Sequence, residues 1–308
     1  MEDYPKTMVE FEGRFATEAA CREYLRQLRW PEGFQCPKCK EMAAWTTNRD
    51  LYHCGHCGFQ ASVTAGTIFH RSRKPLSLWF RAMWQITSQK YGANALGLQR
   101  VLGLGSYHTA WEWLHRIRRA MVRPGRDRLS GVVEVDESYV GGERSGNPGR
   151  GASKTLIMVA VEDKSQGKKK EMGRIRMGRV QDASGKSLKG FIDASVEAGS
   201  TIRTDGWYGY NQVSTKGYRH EIIRKTGLVG DDPLPTCHRV AALFKRWLLG
   251  TYQGAVQPEH LDYYLDEFTF RFNRRASQSR GKLFFRLVQQ AGATAPVPRQ
   301  QIEGGRSL

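Results

Sequence analysis

The sequence lacks any apolar run near the roughly 20 residues that a membrane-spanning helix needs. Its N-terminus also lacks a basic start followed by an apolar stretch, the pattern of a signal peptide. Cysteine is sparse, with six residues in 308. We therefore expect a cytoplasmic protein without a membrane segment, in which the cysteines are metal ligands or free thiols rather than disulfides.

Acidic residues are also scarce, 30 against 48 lysines and arginines, which gives a formal net charge of +18. The basic excess begins at the first cysteine pair, because residues 1–35 hold five basic and seven acidic residues whereas residues 36–130 hold 15 and four. An excess of this size indicates a polyanionic partner such as DNA. The alternative is a basic but unspecialised solvated surface. Apolar residues make up 40% of the chain, which favours a folded protein.

Two CxxC pairs separated by 14 residues form the strongest local motif, Cys36–Cys39 and Cys54–Cys57. Each pair directs two sulfurs at one point, so two pairs close a tetrahedral thiolate site for zinc. Four thiolates leave no open coordination position, so we expect a structural zinc ribbon rather than a catalytic metal site. A redox role or unligated thiols are the alternatives, and His53 and His56 are either substitute ligands or flanking residues.

The basic segment after the ribbon has the outline of a helix-turn-helix. A short helix over 95–102 is followed by a glycine-containing turn, and Ser106 then caps a longer helix over 107–122. This last helix carries basic side chains suited to phosphate contact, Arg116, Arg118 and Arg119. The alternative is a plain helical linker bundle with a charged outer face.

Two carboxylates share one face of a predicted strand over 131–140. Glu134 and Asp136 alternate there with Val133 and Val135. Further strands are predicted over 155–161, 174–180 and 200–204, with a helix over 184–196 before the last of them. This order of elements is RNase H-like.

Asp205 directly follows the fourth predicted strand. In an RNase H-like topology that strand neighbours the first one, so Asp136 and Asp205 come together although they are far apart in sequence. Two such carboxylates can hold a pair of divalent metal ions. Taken alone, each aspartate is more typical of a turn or a helix cap.

A later helix presents polar residues opposite its apolar stripe. His238 and Lys245 lie seven residues apart, two helical turns, and so point in the same direction. Ala242 between them is small and leaves room for a DNA strand. If the true position of this helix along the sequence differs from the prediction by a few residues, His238 is only a histidine near the helix cap.

Three stretches together resemble the insertion-sequence transposases that carry an N-terminal zinc ribbon. They are VDESYVGG, TDGWYGY, and LFKRWLLGTYQGAV followed by HLDYYLDEFTFRFNRR, and the likeness runs from Cys36 to Gln290. The resemblance implies a DDE-type site in an RNase H-like core. Asp136 and Asp205 match the family's first two metal-binding acids, and Lys245 matches a lysine two helical turns beyond the third site residue.

The sequence departs from the usual family pattern at that third position, where His238 stands in place of glutamate. Because Mg²⁺ favours oxygen ligands and imidazole suits softer ions, the catalytic metal is either Mg²⁺ or Mn²⁺. The implied activity is metal-dependent cleavage and strand transfer on double-stranded DNA, at element ends and target, by a homo-oligomer associated with the nucleoid. The alternatives are a zinc-ribbon DNA-binding regulator with a non-catalytic core, and a nuclease that does not join strands.

The sequence therefore predicts an α/β protein with an RNase H-like mixed sheet and flanking helices, preceded by a zinc ribbon and a helix-turn-helix-like segment. Its expected divisions are a helical lead-in at 1–33, the ribbon at 34–64, a helical DNA-binding segment at 65–128, the RNase H-like domain at 129–290, and a disordered tail at 291–308.

Overall fold

The chain folds into two compact units, residues 1–123 with 276–303, and residues 124–275 with 304–308. The computed structural model describes residues 2–123, 125–141, 154–165, 171–213, 217–224, 227, 232–254 and 256–306. Among these residues, no helix is both long enough and apolar enough to cross a bilayer.

Ten helices and eight strands are assigned within the described residues. The helices are α1 Met8–Arg14, α2 Glu18–Arg29, α3 Leu76–Ser88, α4 Ala95–Leu102, α5 Tyr107–Ala120, α6 Gly185–Ser195, α7 Pro235–Tyr252, α8 Leu261–Phe272, α9 Arg280–Ala293 and α10 Arg299–Glu303. The strands are β1 Ala44–Thr46, β2 Tyr52–Cys54, β3 Gln60–Ala61, β4 Val132–Val140, β5 Thr155–Asp163, β6 Met172–Arg179, β7 Thr201–Thr204 and β8 Arg219–Ile222.

Local capping explains where the helix-turn-helix-like elements begin and end. The side chain of Asn94 accepts a hydrogen bond from Gly97 N at the start of α4, and Ser106 accepts one from Thr109 N at the start of α5. Gly103 ends α4 in the left-handed conformation. The helices predicted for this segment are therefore present.

The second unit contains a five-stranded mixed sheet with the strand order β6-β5-β4-β7-β8. Strands β4, β5 and β6 pair antiparallel, whereas β4, β7 and β8 pair parallel. The predicted fold class, a mixed sheet with flanking helices behind a cysteine-rich ribbon, is confirmed. Strand β8 was not predicted, because its four residues, RHEI, carry no apolar run and are only partly buried.

The two faces of the sheet are covered by different helices. Val133 and Val135 of β4 are buried on one face in a cluster with Leu188 and Ile192 of α6. On the other face, residues of β5 and β6 pack against the apolar stripes of α7 and α8. Because side chains alternate along a strand, the intervening Glu134 and Asp136 point to the face that α7 covers.

The C-terminal limits differ from the expected ones. Helix α9 belongs to the first unit, where Phe284 packs among aromatic rings of that unit, namely Phe11, Phe15, Tyr24, Phe80 and Trp84. The expected disordered tail is wrong over its described part. Helix α10 lies there with Ile302 buried, and Arg306 pairs with buried Asp266 at 2.5 Å. The buried side chains of Val297 and Ile302 and the Arg306–Asp266 ion pair order this segment despite its polar composition.

Candidate functional site

The four cysteines of the ribbon converge on one point. Their sulfurs all lie within 4.8 Å of one another, with 3.6 Å between Sγ of Cys36 and Cys57 and 3.5 Å between Sγ of Cys39 and Cys54. A tetrahedron with Zn–S bonds of about 2.3 Å has edges of about 3.8 Å, so the sulfur positions fit zinc.

The two histidines beside the second cysteine pair stay outside this group, in the part of the chain that the structure describes. The His53 ring stacks on Trp45 with 4.4 Å between centroids, and its Nδ1 lies 3.0 Å from Nε2 of Gln60. His53 therefore flanks the site and stiffens the β1–β2 hairpin.

The pairing of β4 with β7 aligns the two predicted aspartates. Val132 pairs with Thr201 and Glu134 pairs with Arg203, so the same register two residues later sets Asp136 level with Asp205. Asp205 lies on an exposed turn just beyond the end of β7, where its Oδ1 accepts a hydrogen bond from Trp207 N at 3.0 Å.

Glycine is required directly after Asp205. Gly206 has φ +87°, and a Cβ at this position would lie 2.6 Å from Cγ2 of Ile222. The Asp–Gly pair thus ends the strand in a turn that leaves the aspartate at the edge of the sheet.

His238 at the start of α7 meets Asp136. Its Nε2 lies 3.1 Å from Oδ2 of Asp136, although the two residues are far apart in sequence. The opposite ring nitrogen, Nδ1, lies 2.6 Å from Oδ1 of Asp232. The structure thus brings Asp136 and His238 together and adds a carboxylate that the sequence analysis did not single out.

Crowding and burial alter the acidity of Asp136. Burial raises its pKa to about 6, and the negative charges of Glu137 and Asp205 act in the same direction, while His238 opposes them. Asp136 is therefore an acidic group held near other acidic groups, which is the electrostatic setting that a bound cation relieves.

Two family models match consecutive parts of the chain. Residues 16–60 match the transposase zinc-ribbon domain, and residues 128–273 match the ISXO2-like transposase domain. The chain belongs to the zinc-ribbon DDE transposases. The resemblance inferred from the motifs is confirmed, and the four-cysteine group is the structural zinc site of this transposase.

A relative from a transposable element agrees with this assignment. It is an uncharacterized protein in transposable element ISH50 of Halobacterium salinarum, 26% identical over 280 residues that cover 83% of this chain and 91% of the relative. A solved simian T-cell lymphotropic virus intasome in complex with PP2A regulatory subunit B56 gamma gives a TM-score of 0.32 at 13% identity, over 66% of this chain and 74% of that one. A likeness that weak carries no argument about the transposase.

Glu134 performs a task that the sequence did not indicate. It shares the strand face of Asp136, but its Oε2 accepts hydrogen bonds from Thr236 N at 3.0 Å and Cys237 N at 3.2 Å, and also from the Thr236 hydroxyl. The residue at the N-cap position of α7 is Leu234, which has no side-chain acceptor. The strand carboxylate therefore supplies the missing cap and holds the first turn of the transposase helix beside Asp136.

Lys245 occupies the predicted face of α7. His238, Ala242 and Lys245 are all exposed, while the stripe on the other side of the helix is buried. Partial desolvation of its ammonium group by neighbouring residues, and then the positive charge of Lys154, lower the pKa of Lys245, while Asp136 opposes them. Lys154 was not singled out by the sequence analysis, because it directly precedes β5 and belongs to no motif.

The predicted DNA-contacting arginines of α5 have different surroundings. Arg118 is 1% exposed, so its guanidinium is covered by the protein in this structure, and its contact with a phosphate stays a prediction. Arg116 is partly buried and pairs with Glu112 at 2.5 Å, one turn earlier. Arg119 is also partly buried. The helical period places Arg118 on the side of α5 that carries Leu114 and Met121, a signal that the basic character of the helix obscured.

Three aromatic residues follow Asp205, and only one of them is exposed. Tyr210 is buried and donates its hydroxyl to Glu137 at 2.6 Å, so it belongs to the core. Trp207 is half-buried and donates its indole N–H to Ala183 O at 3.3 Å. Tyr208 is 69% exposed, which leaves its ring available to a partner.

Proposed function

We propose that this transposase catalyses metal-dependent DNA cleavage and strand transfer, with Asp136, Asp205 and His238 as its metal ligands. The observation that carries the proposal is the contact between Asp136 and His238. It joins the centre of the sheet to the helix in which the family's third site residue is expected, while Asp205 follows the strand next to Asp136.

The residues suit a divalent cation. Asp136 and Asp205 offer oxygen and His238 offers nitrogen, and the pKa of Asp136 is raised first by its burial and then by the negative charges of Glu137 and Asp205. Bound Mg²⁺ or Mn²⁺ would supply Lewis acidity at a phosphodiester and lower the pKa of a bound water. With an imidazole in the set, Mn²⁺ is expected to serve at least as well as Mg²⁺.

The remaining side chains would bind and orient DNA. Lys245 lies on the exposed face of α7 that also carries His238, so its ammonium group would contact a backbone phosphate close to the scissile bond. Arg116, Arg118 and Arg119 stay candidates for phosphate contact on α5, provided that their side chains turn outward. Joining two element ends to one target requires two sites, so we propose a homo-oligomer that acts on double-stranded DNA in the nucleoid.

The test is cleavage and joining of a labelled duplex that carries the element's own ends, with Mg²⁺ and with Mn²⁺. Wild-type protein should give joined products, and Asp205→Ala and Lys245→Ala should abolish or greatly reduce them. Asp193 is a half-buried aspartate of α6 paired with Lys189, and Asp193→Ala is the matched control, which should retain activity.

Two other outcomes would contradict the proposal. Salt-sensitive binding without cleavage in either metal would indicate a DNA-binding regulator. Cleaved but never joined products would indicate a nuclease.

A further inference from the structure

Asp232 lies just before α7 and makes a short contact with the site histidine. We propose that Asp232 is a positioning residue, which fixes the His238 ring so that Nε2 faces Asp136 and the metal position. The inference rests on the proposed function for the presence of a metal. The contacts of His238 with Asp232 and Asp136 are features of the structure itself. Asp232 itself acts through the imidazole and does not touch the reacting atoms.

The carboxylate of Asp232 is held where it can do this. Its Oδ1 accepts a hydrogen bond from Leu234 N at 3.2 Å and lies 2.6 Å from Nδ1 of His238. One oxygen thus joins the turn before α7 to the ring on the first turn of the helix. Leu234 is fully buried, so the backbone that carries this turn is anchored in the core.

The start of α7 is fixed independently by Glu134. Its carboxylate binds the backbone N–H groups of Thr236 and Cys237, the two residues before His238. The backbone of His238 is therefore held in place, and what remains to be set is the rotation of its side chain. About half of that side chain is exposed, so packing alone does not fix the ring.

The two carboxylates lie on opposite edges of the imidazole. Asp136 is at Nε2 and Asp232 is at Nδ1, so Asp232 stands on the far side of the ring from the position where a metal would meet Asp136. Donation of Nδ1–H to Asp232 leaves the lone pair of neutral histidine on Nε2, which is the form that binds a metal. Such carboxylate–histidine pairs fix the tautomer and raise ligand basicity, and their loss commonly costs 10-fold to 100-fold in metal affinity.

The experiment uses the full-length, zinc-loaded protein with ¹⁵N-labelled histidine, and His238→Ala assigns the His238 signals. In alkaline solution without added Mn²⁺ or Mg²⁺, the wild type should show the Nδ1–H tautomer. Asp232→Asn keeps an oxygen for the Leu234 turn but loses the charge, so the ring should shift toward Nε2–H. Mn²⁺ affinity, followed by electron paramagnetic resonance, should fall about tenfold in Asp232→Asn and up to about 100-fold in Asp232→Ala.

Asp193→Asn is the matched control, because the Asp193 and Asp232 side chains are 40% and 38% exposed and both form an ion pair. It should leave the tautomer and the Mn²⁺ affinity at wild-type values. Asp232→Glu should restore part of the Nδ1–H population, which a merely structural role would not explain.

The two hypotheses fail separately. An unchanged His238 tautomer in Asp232→Asn and Asp232→Ala overturns the positioning role, whatever the activity. If the tautomer shifts but wild-type and Asp136→Ala proteins bind Mn²⁺ equally, the orientation by Asp232 is supported and the proposed metal site at Asp136 is rejected.

Discussion

Replacing Glu134 by glutamine should loosen the first turn of α7. The side chain is 4% exposed, and its Oε2 receives three hydrogen bonds, from the backbone N–H groups of Thr236 and Cys237 and from the Thr236 hydroxyl. Glutamine keeps an acceptor oxygen but loses the charge, which interacts with the positive end of the helix and strengthens each bond. Charge and helix dipole together contribute about 2 kcal/mol in partly buried geometry, so we expect a loss of that size.

Hydrogen exchange of the backbone amides in the first turn of α7 measures this loss directly. A destabilisation of about 2 kcal/mol corresponds to roughly 30-fold faster exchange if the turn opens locally. Glu134→Ala leaves the same donors without an acceptor and should cost about 4 kcal/mol. The Glu134→Gln protein should also lose Mn²⁺ affinity, because His238 directly follows the two residues whose backbone Glu134 holds.

The chain provides an internal control for a carboxylate that caps a distant helix. Glu18 accepts hydrogen bonds from Leu76 N at 2.9 Å and Ser77 N at 3.1 Å at the start of α3. Glu18→Gln should accelerate exchange in α3 by less, because its side chain is more exposed, and leave His238 unaffected. Unchanged exchange of the α7 amides in Glu134→Gln would refute the capping role.

Three further outcomes are expected. Cys57→Ser should reduce bound zinc from about one ion per chain and expose the amides of the ribbon strands, as metal analysis and hydrogen exchange would show. Unchanged zinc content and unchanged protection of these amides would argue against a structural site. Tyr208→Ala should weaken binding of a frayed DNA end about tenfold while Tyr208→Phe does not, since stacking contributes roughly 1–3 kcal/mol per base; equal binding by both variants would place Tyr208 outside the interface. Because the pKa of Asp136 is raised to about 6, protons compete with the metal below that pH, so Mn²⁺ affinity should fall as pH drops through 6 and level off above it, and in Asp136→Asn this dependence should weaken.

Features that depend on local spacing were predictable from the sequence. The CxxC pairs indicated the ribbon, because two knuckles need only short-range geometry to direct four sulfurs together. The alternation of valines with Glu134 and Asp136 indicated which strand face carries the carboxylates, and the buried valines bear this out. In both cases the spacing of residues along the chain is enough to predict which side chains lie together.

Features that depend on distant partners were not predictable in the same way. Arg118 and Arg119 both carry the charge that favours phosphate contact, and their basic character alone did not show that only Arg118 is fully buried. Strand β8 exists because an edge of the sheet was open beside β7, not because its own residues favour a strand. Asp232 lies in an irregular segment, where no repeating pattern of side chains predicts a contact. The sequence shows only that an acidic residue stands six positions before His238.

The two carboxylates of β4 illustrate how one strand organises the candidate site. Because they are two residues apart they share a face, yet Asp136 meets the imidazole while Glu134 binds the backbone of the helix that carries it. The separation between the aspartate and residue 238 is thus set by a single strand and one helix turn. Since Glu134 contacts backbone N–H groups and not the side chain at 238, the start of α7 is held whichever ligand stands there. That independence gives a physical reason why the side chain at position 238 can change without moving the start of α7.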